Sequence, residues 1–279
     1  MYGSGCAIRC VEKSPQLSVI MGVYNVEQLS VLHQAVASVL NQTMGDFEFI
    51  ICDDGSTDQT WNLLLALTQE DDRIKLIHSV QNKGLASALN RCIAQARGKW
   101  IARQDADDIS APERFRLQLQ FLESHPEIGF VGSAVSLWDE RGVWRERIFP
   151  EYPQPADFQF TMPFVHGALM YHRKALEKVN GYRVARETRR AEDYDMLMRM
   201  YAAGIRGANL PEFLYAFQEN QAAQRRRKYR YRLDEAVVRW KGFSALGLMP
   251  GALPYVVKPL IVGLIPADFL LKLKQSRSF

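Results

Sequence analysis

The first apolar run of the chain, Leu17-Ser-Val-Ile-Met-Gly-Val23, is too short for a helix and suits a strand buried on both faces. From Gln28 to Leu40 the apolar positions Leu29, Leu32, Val36, Val39 and Leu40 return at helical spacing. Phe47 to Cys52 predicts a second strand, Trp61 to Leu67 a helix, and Ile74 to His78 a third strand. Asn82-Lys83-Gly84 leads into a helix reaching about Ala96, and Trp100-Ile101-Ala102 supplies a fourth strand. Such alternation predicts an α/β fold, a parallel sheet with helices on both faces.

Beyond the fourth strand the pattern loosens. Pro112 to Glu123 predicts a helix and Ile128 to Trp138 a strand, followed by a turn at Arg141-Gly142. Pro150, Pro153 and Pro155 interrupt the next stretch, after which Phe164 to Tyr171 predicts a strand and Lys174 to Val179 a helix. Another helix opens at Ala191-Glu192-Asp193-Tyr194-Asp195, with Tyr194, Leu197, Met198 and Tyr201 on one face and Gly204 as its stop. Asp195 and Arg199, four residues apart, are expected to pair on its surface.

Polar residues stand where the predicted parallel strands end: Tyr24-Asn25, Asp53-Asp54, Asn82-Lys83-Gly84 and Asp105-Ala106-Asp107-Asp108. In open sheets of this kind ligands bind outside the carboxyl ends of the strands. Three carboxylates within four residues repel one another unless a cation sits among them, and Mg2+ or Mn2+ takes oxygen ligands of this type, completed by water and phosphate. The plainer alternative is an acidic turn before the helix near Pro112. Neither G-x-G-x-x-G nor G-x-x-x-x-G-K-[ST] occurs, so neither a dinucleotide fingerprint nor a P-loop is supported.

The series VIMGVYN, ICDDGSTD, NKGLASALN and ARQDADD, followed by HGALMYHRKALEKVNGY and AEDYDMLMRM, resembles the family 2 nucleotide-sugar glycosyltransferases, of inverting mechanism and GT-A fold. The likeness runs from residue 17 to residue 218. It implies a Rossmann-like GT-A sheet, a nucleoside-diphosphate-sugar donor (most often a UDP-sugar), and Mn2+ or Mg2+ as cofactor. By matching position, Asp54 resembles the residue that contacts the donor base, Asp105 the one near ribose or metal, and Asp107 the metal ligand. Tyr24, Asn25, Asp53 and Gly84 complete the expected nucleotide-sugar edge. Inverting transfer needs a base to take the acceptor hydroxyl's proton. In the family that base is the aspartate of a Glu-Asp pair, here Asp193, with Glu192 a candidate for orienting the acceptor. His166 is a further acceptor-side candidate, the alternative being a hydrogen-bonded structural histidine. The processive members carry Q-x-x-R-W, whereas Gln224-Arg-Arg-Arg227 is followed by Lys228, so a non-processive enzyme is expected.

Composition adds a boundary. At 279 residues and 47% hydrophobic, the chain suffices for one large α/β domain and an appendage. From Arg225 onward twelve Lys and Arg face three Asp and Glu, so the positive excess belongs to the tail. Expected units are an N-terminal extension (1–16), a catalytic domain (17–220, its donor half 17–110 and acceptor half 111–220), and a basic, apolar C-terminal helical tail (221–279). The tail's apolar clusters alternate with cations and prolines, and no run approaches the roughly 20 apolar residues that span a bilayer. That combination points to an anionic membrane surface as partner, and away from nucleic acid. A helical lid packed on the catalytic domain is the alternative. Cys52 and Cys92 fall within strand and helix patterns and are expected as buried thiols. The first sixteen residues lack the order of a signal peptide. The expected location is cytoplasmic, peripheral on the inner membrane face.

The expected function is transfer of a sugar to a lipid-linked or membrane-bound glycan acceptor in cell-surface polysaccharide or glycolipid assembly. A sugar-nucleotide nucleotidyltransferase should carry a Gly-rich basic loop after the first strand, which Tyr24-Asn25-Val26 does not supply. A catalytically inactive nucleotide-sugar-binding membrane protein would have little reason to hold both Asp107 and Asp193.

Overall fold

Strands β1 (Leu17–Val23), β2 (Phe47–Asp53), β3 (Ile74–His78) and β4 (Trp100–Arg103) lie parallel in the spatial order β3-β2-β1-β4. They belong to a computed structural model that describes residues 14–139, 141–218 and 229–264. Alternation along β1 explains the two apolar layers. Leu17, Val19 and Met21 enter one cluster with α1 (Leu29–Leu40), α2 (Thr60–Glu70) and α4 (Arg114–Ser124), while Ile20 enters the other with α3 (Leu85–Gln95). Each fully buried Leu, Ile or Val contributes roughly 1.5–3 kcal/mol, which is why these strands tolerate few polar positions.

The four strands read as parallel are so, and past β4 the sheet becomes mixed. β8 (Met170–His172) runs antiparallel between β4 and β6 (Ile128–Asp139), and β9 (Arg206–Gln218) follows parallel to β6. The short β5 (Ile109–Ser110) pairs with β9, and β7 (Gly142–Arg147) pairs with the distal half of β6. The result is a mixed nine-stranded sheet with helices on both faces.

The strand expected over Phe164–Tyr171 is confined to Met170–His172, and His166–Ala168 forms a 3-10 turn. Gly167 explains the change. It presses so closely on the Tyr215 hydroxyl and the Asp105 carboxylate that a Cβ would collide with both. Only a glycine turn lets the backbone approach that site.

On the α3 side lie α5 (Arg173–Lys178), α6 (Glu192–Ala202), α7 (Arg230–Ala245) and α8 (Leu253–Gly263). Phe243 of α7 meets Tyr194 of α6, and α8 folds back along α7. The basic residues 225–228 and the apolar cluster Phe269–Leu273 lie outside the described residues. Among the described residues no helix is long and apolar enough to cross a membrane. Cys52 and Cys92 are free and buried. Asp195 corrects another expectation. It is not a surface residue but 3% exposed, receiving Arg199 Nε at 2.8 Å and the Arg183 guanidinium. Its side chain therefore ties α6 to the segment before it.

Candidate active site

The parallel strands deliver Tyr24-Asn25, Asp53-Asp54 and Asp105-Ala106-Asp107 to one edge, as β1, β2 and β4 end there. Asn25 adopts φ 43°, a left-handed conformation asparagine tolerates better than most residues. Its Oδ1 accepts the Thr57 N–H at 2.8 Å, and its own N–H donates to Ser56 Oγ at 2.9 Å, so the β1 and β2 loops are joined. Tyr24 is exposed beside them.

The adjacent aspartates do different work. Asp54 is buried and accepts the backbone N–H groups of Lys83 (3.0 Å) and Gly84 (2.7 Å), which fixes the loop entering α3. Gly84 needs φ +90° to present that N–H, a conformation suited to glycine. Asp53 is fully buried and points elsewhere. Its carboxylate accepts the Ser56 N–H and meets His78 Nδ1 at 2.9 Å, so it organises the loop from within.

At the end of β4 stands Arg103, 1% exposed in an otherwise apolar strand. Its Nη1 approaches Asp105 Oδ1 at 2.5 Å, while its Nε–H lacks a hydrogen-bond partner among the described residues. The Asp105 N–H donates to the Tyr215 hydroxyl at 3.1 Å, which anchors the acidic loop to β9. Asp107 is exposed at the loop's tip. Although the residue is exposed overall, its carboxyl is partly shielded by the loop, and that shielding, then the nearby Asp105 charge, push it up to about 6. Asp108 turns inward, accepting the Gln218 N–H at 2.7 Å, and burial raises it well above the carboxylate range. Beneath the loop Arg114 is fully buried, bridging Gln104, Ser110 and the carbonyls of Arg103 and Gly167.

Glu192 and Asp193 open α6, and both feel the Arg103 cation and the Asp105 anion. Burial, then the Asp193 charge, push Glu192 up to about 8. Burial also raises Asp193, against the Tyr194 N–H that donates to its Oδ1 at 2.7 Å and against Arg103. His166 Nε2 lies 2.7 Å from the Tyr182 hydroxyl, and burial and then Arg103 hold its pKa well below the usual range, so the ring is neutral. Arg103 thus pairs with Asp105, and its charge acts on Glu192, Asp193 and His166. Sequence reasoning passed over it, together with Tyr182 and Tyr215. The one signal available was a cation ending an apolar strand immediately before three acids.

Asp105 and Asp107 offer hard oxygen donors, crowded enough to raise one carboxyl. Among the described residues no group of three or more His, Cys, Asp or Glu forms a protein-only cage. That set fits Mg2+ or Mn2+, which keep water and substrate phosphate in their shells.

The shift on Glu192 has a measurable sign. Its folded value near 8 lies above the ordinary 4.5, so across that interval the native chain holds a proton the unfolded chain has released. Stability contributed by this group is full below the lower value and lost as pH rises through the upper. Glu192→Gln should therefore gain in Tm relative to the parent as pH rises from 5 to 8. A constant difference across that range would contradict the burial of this carboxyl.

Residues 18–180 match the model of glycosyl transferase family 2, and residues 100–273 that of glycosyl transferase family group 2. The chain is 39% identical, over 96% of its own length and 96% of the relative's, to the putative glycosyltransferase EpsE of Bacillus subtilis. It is 27% identical to the amylovoran biosynthesis glycosyltransferase AmsE of Erwinia amylovora, covering 87% of this chain and 92% of that one. Among solved structures, S. aureus TarS (residues 1–349) with UDP-GlcNAc superposes with a TM-score of 0.69 at 18% identity, over 87% of this chain and 73% of that one. The mannosyltransferase PcManGT of Pyrobaculum calidifontis, with GDP-Man and Mn2+, gives 0.60 at 19% identity, over 95% and 81%. These structural likenesses establish the GT-A type of fold and nothing finer. Family model and full-length relative together make the chain a member of the family 2 glycosyltransferases.

Proposed function

We propose that the chain transfers a sugar from a nucleoside-diphosphate sugar, a UDP-sugar foremost, to a hydroxyl of a lipid-linked or membrane-bound glycan, with inversion at the anomeric carbon. The observation that carries this reading is that the Asp105-Ala106-Asp107 loop is paired to Arg103 and that the charges of Arg103 and Asp105 act on the Glu192-Asp193 helix start. A donor diphosphate and an acceptor hydroxyl need those two elements on opposite sides of one anomeric carbon. The polysaccharide setting is supported by the likeness to a relative whose name assigns it to amylovoran biosynthesis.

Tyr24, Asn25 and the Asp54-held loop at Gly84 receive the nucleotide end of the donor, with Asp53 shaping that wall from behind. Asp107 and Asp105 hold Mn2+ or Mg2+, which when bound offsets negative charge on the diphosphate. Asp193 accepts the acceptor's proton as its oxygen bonds to the anomeric carbon and the bond to the diphosphate breaks. Glu192, which is largely protonated near neutrality, is able to donate a hydrogen bond to an acceptor oxygen. Neutral His166, fixed by Tyr182, lines the acceptor side. The tail attaches the enzyme to the cytoplasmic face of an anionic membrane, where such acceptors reside.

Nucleotide release from a donor panel including UDP-GlcNAc and GDP-Man, with Mn2+ and after chelation, tests this reading. Release confined to one donor and to metal-replete enzyme is expected. Silence with every donor in the presence of acceptor membranes would favour a binding protein, and pyrophosphate release from a nucleoside triphosphate would favour a nucleotidyltransferase.

Asp54→Ala frees the Lys83 and Gly84 N–H groups and should raise the donor KM by roughly tenfold or more, since hydrogen bonds to charged groups contribute about 1.5–3 kcal/mol. kcat should hold, because the residue is remote from the bond that breaks. A large fall in kcat at saturating donor with KM unchanged would contradict this assignment.

A further inference from the structure

We infer that the outer face of the α7–α8 hairpin is the surface that docks on an anionic bilayer, a step that rests on the membrane attachment proposed above and names the face responsible. On α7 the exposed apolar residues are Leu233, Val237 and Trp240, spaced four and three apart. On α8 they are Leu253, Val257 and Ile261, with Leu264 at its C-terminal cap, spaced four, four and three apart. Each spacing keeps its residues on one side of a helix. The opposite sides are already occupied. Ala236, Val238 and Phe243 of α7 and Val256 and Pro259 of α8 are buried.

The hairpin is antiparallel, since Gly263 near the end of α8 lies against Tyr229 and Arg232 at the start of α7. Its body side rests on α6, where Gly242 abuts Met198 and Arg239 stands 5.2 Å from the centre of the Tyr194 ring. The two apolar rows are left to face outward without a protein partner among the described residues.

Charge identifies the occupant. Arg230 and Lys258 are exposed beside the rows, Lys241 is exposed but paired with Glu187 at 2.7 Å, and the acid Glu235 is partly buried and paired with Arg232 and Arg239. Asp234 lies partly buried at the flank of α7. Rows of Leu, Val, Ile and Trp offer nothing for directional recognition, and cations around them match anionic headgroups. That pairing suits a helix lying roughly 5–10 Å into the interface. In sequence the chain continues with Phe269, Leu270, Leu271, Lys272 and Lys274, of the same mixed character.

The placement matters for the reaction. Tyr194, the residue after the candidate base, packs against Phe243 and Arg239 of α7, so the hairpin is joined directly to the helix that carries Asp193.

The full chain is to be sedimented with vesicles of equimolar phosphatidylglycerol and phosphatidylcholine, beside a Val237→Asp/Ile261→Asp variant whose substitutions are at exposed positions. The parent is expected to bind and the variant to bind about tenfold more weakly, with unchanged Tm and unchanged nucleotide release from soluble donor. Trp240→Phe should abolish quenching by brominated lipid, whereas Trp144→Phe, on the exposed strand β7, should leave it intact. Equal binding by parent and double variant would overturn the assignment of this face while leaving membrane attachment standing. A parent that binds no vesicle would overturn attachment itself, with glycosyl transfer judged separately by the donor panel. A concentration-dependent dimer lost in the double variant would reassign the face to a second copy of the chain.

Discussion

Asp107→Ala is expected to bring metal-dependent nucleotide release down by about a thousandfold or more, while the melting temperature stays level or rises slightly. A metal bound at a leaving diphosphate contributes several kcal/mol to the transition state, and each 1.36 kcal/mol is tenfold in rate. The fold does not depend on this carboxylate. The residue is exposed, and the raised value of about 6 shows that its charge is disfavoured where it stands. Removing it relieves repulsion with Asp105. Asp105 differs, because its carboxylate meets Arg103 and its N–H is held by Tyr215, so substitution there would mix metal loss with disorder of the loop. The measurement is the initial rate over a Mn2+ titration, with thermal unfolding as the control. Normal turnover of the alanine variant in Mn2+ would remove Asp107 from the metal site.

The donor half was legible in the sequence because its physics is local. β1, β2 and β4 are short runs buried on both faces, β3 is a half-exposed edge strand, and helical spacing between them leaves little choice but a parallel sheet. The acceptor half was less legible. β7 has all six residues exposed, so no alternation marks it. β9 contains Pro211, and its register against β6 jumps from Leu210 to Phe213, a bulge that absorbs the proline but breaks the pattern a strand should show. The acids of the site could be named because adjacent carboxylates without partners call for a cation. Their organiser could not. Arg103, Tyr182 and Tyr215 come from separate elements, and Tyr215 reaches Asp105 across 110 positions of sequence. For the same reason Asp195 looked like half of a surface pair, since Arg183, which helps enclose it, comes from outside the helix.

Asp193→Asn should lower transfer by roughly 10²–10⁴, the range for losing a positioned base, while the donor KM and the metal requirement stay as they were. The amide keeps the size of the side chain and can still accept the Tyr194 N–H, so the start of α6 should survive. What it loses is basicity. Burial raises the Asp193 carboxyl above its ordinary 3.8, so the acid limb of kcat/KM in the parent should lie above that ordinary value. The rate rises with pH through that limb because only the ionised form takes a proton, and the limb should vanish in the Asn variant. Glu192 supports the assignment from beside it: pushed up to about 8, it is largely protonated at neutrality and adds little negative charge next to Asp193. Direct displacement at one face of the sugar also fixes the product, β-linked from an α-linked donor. Near-parental kcat in the Asn variant would move the base to Glu192 or His166, and an α-linked product by NMR would replace single displacement with a retaining mechanism.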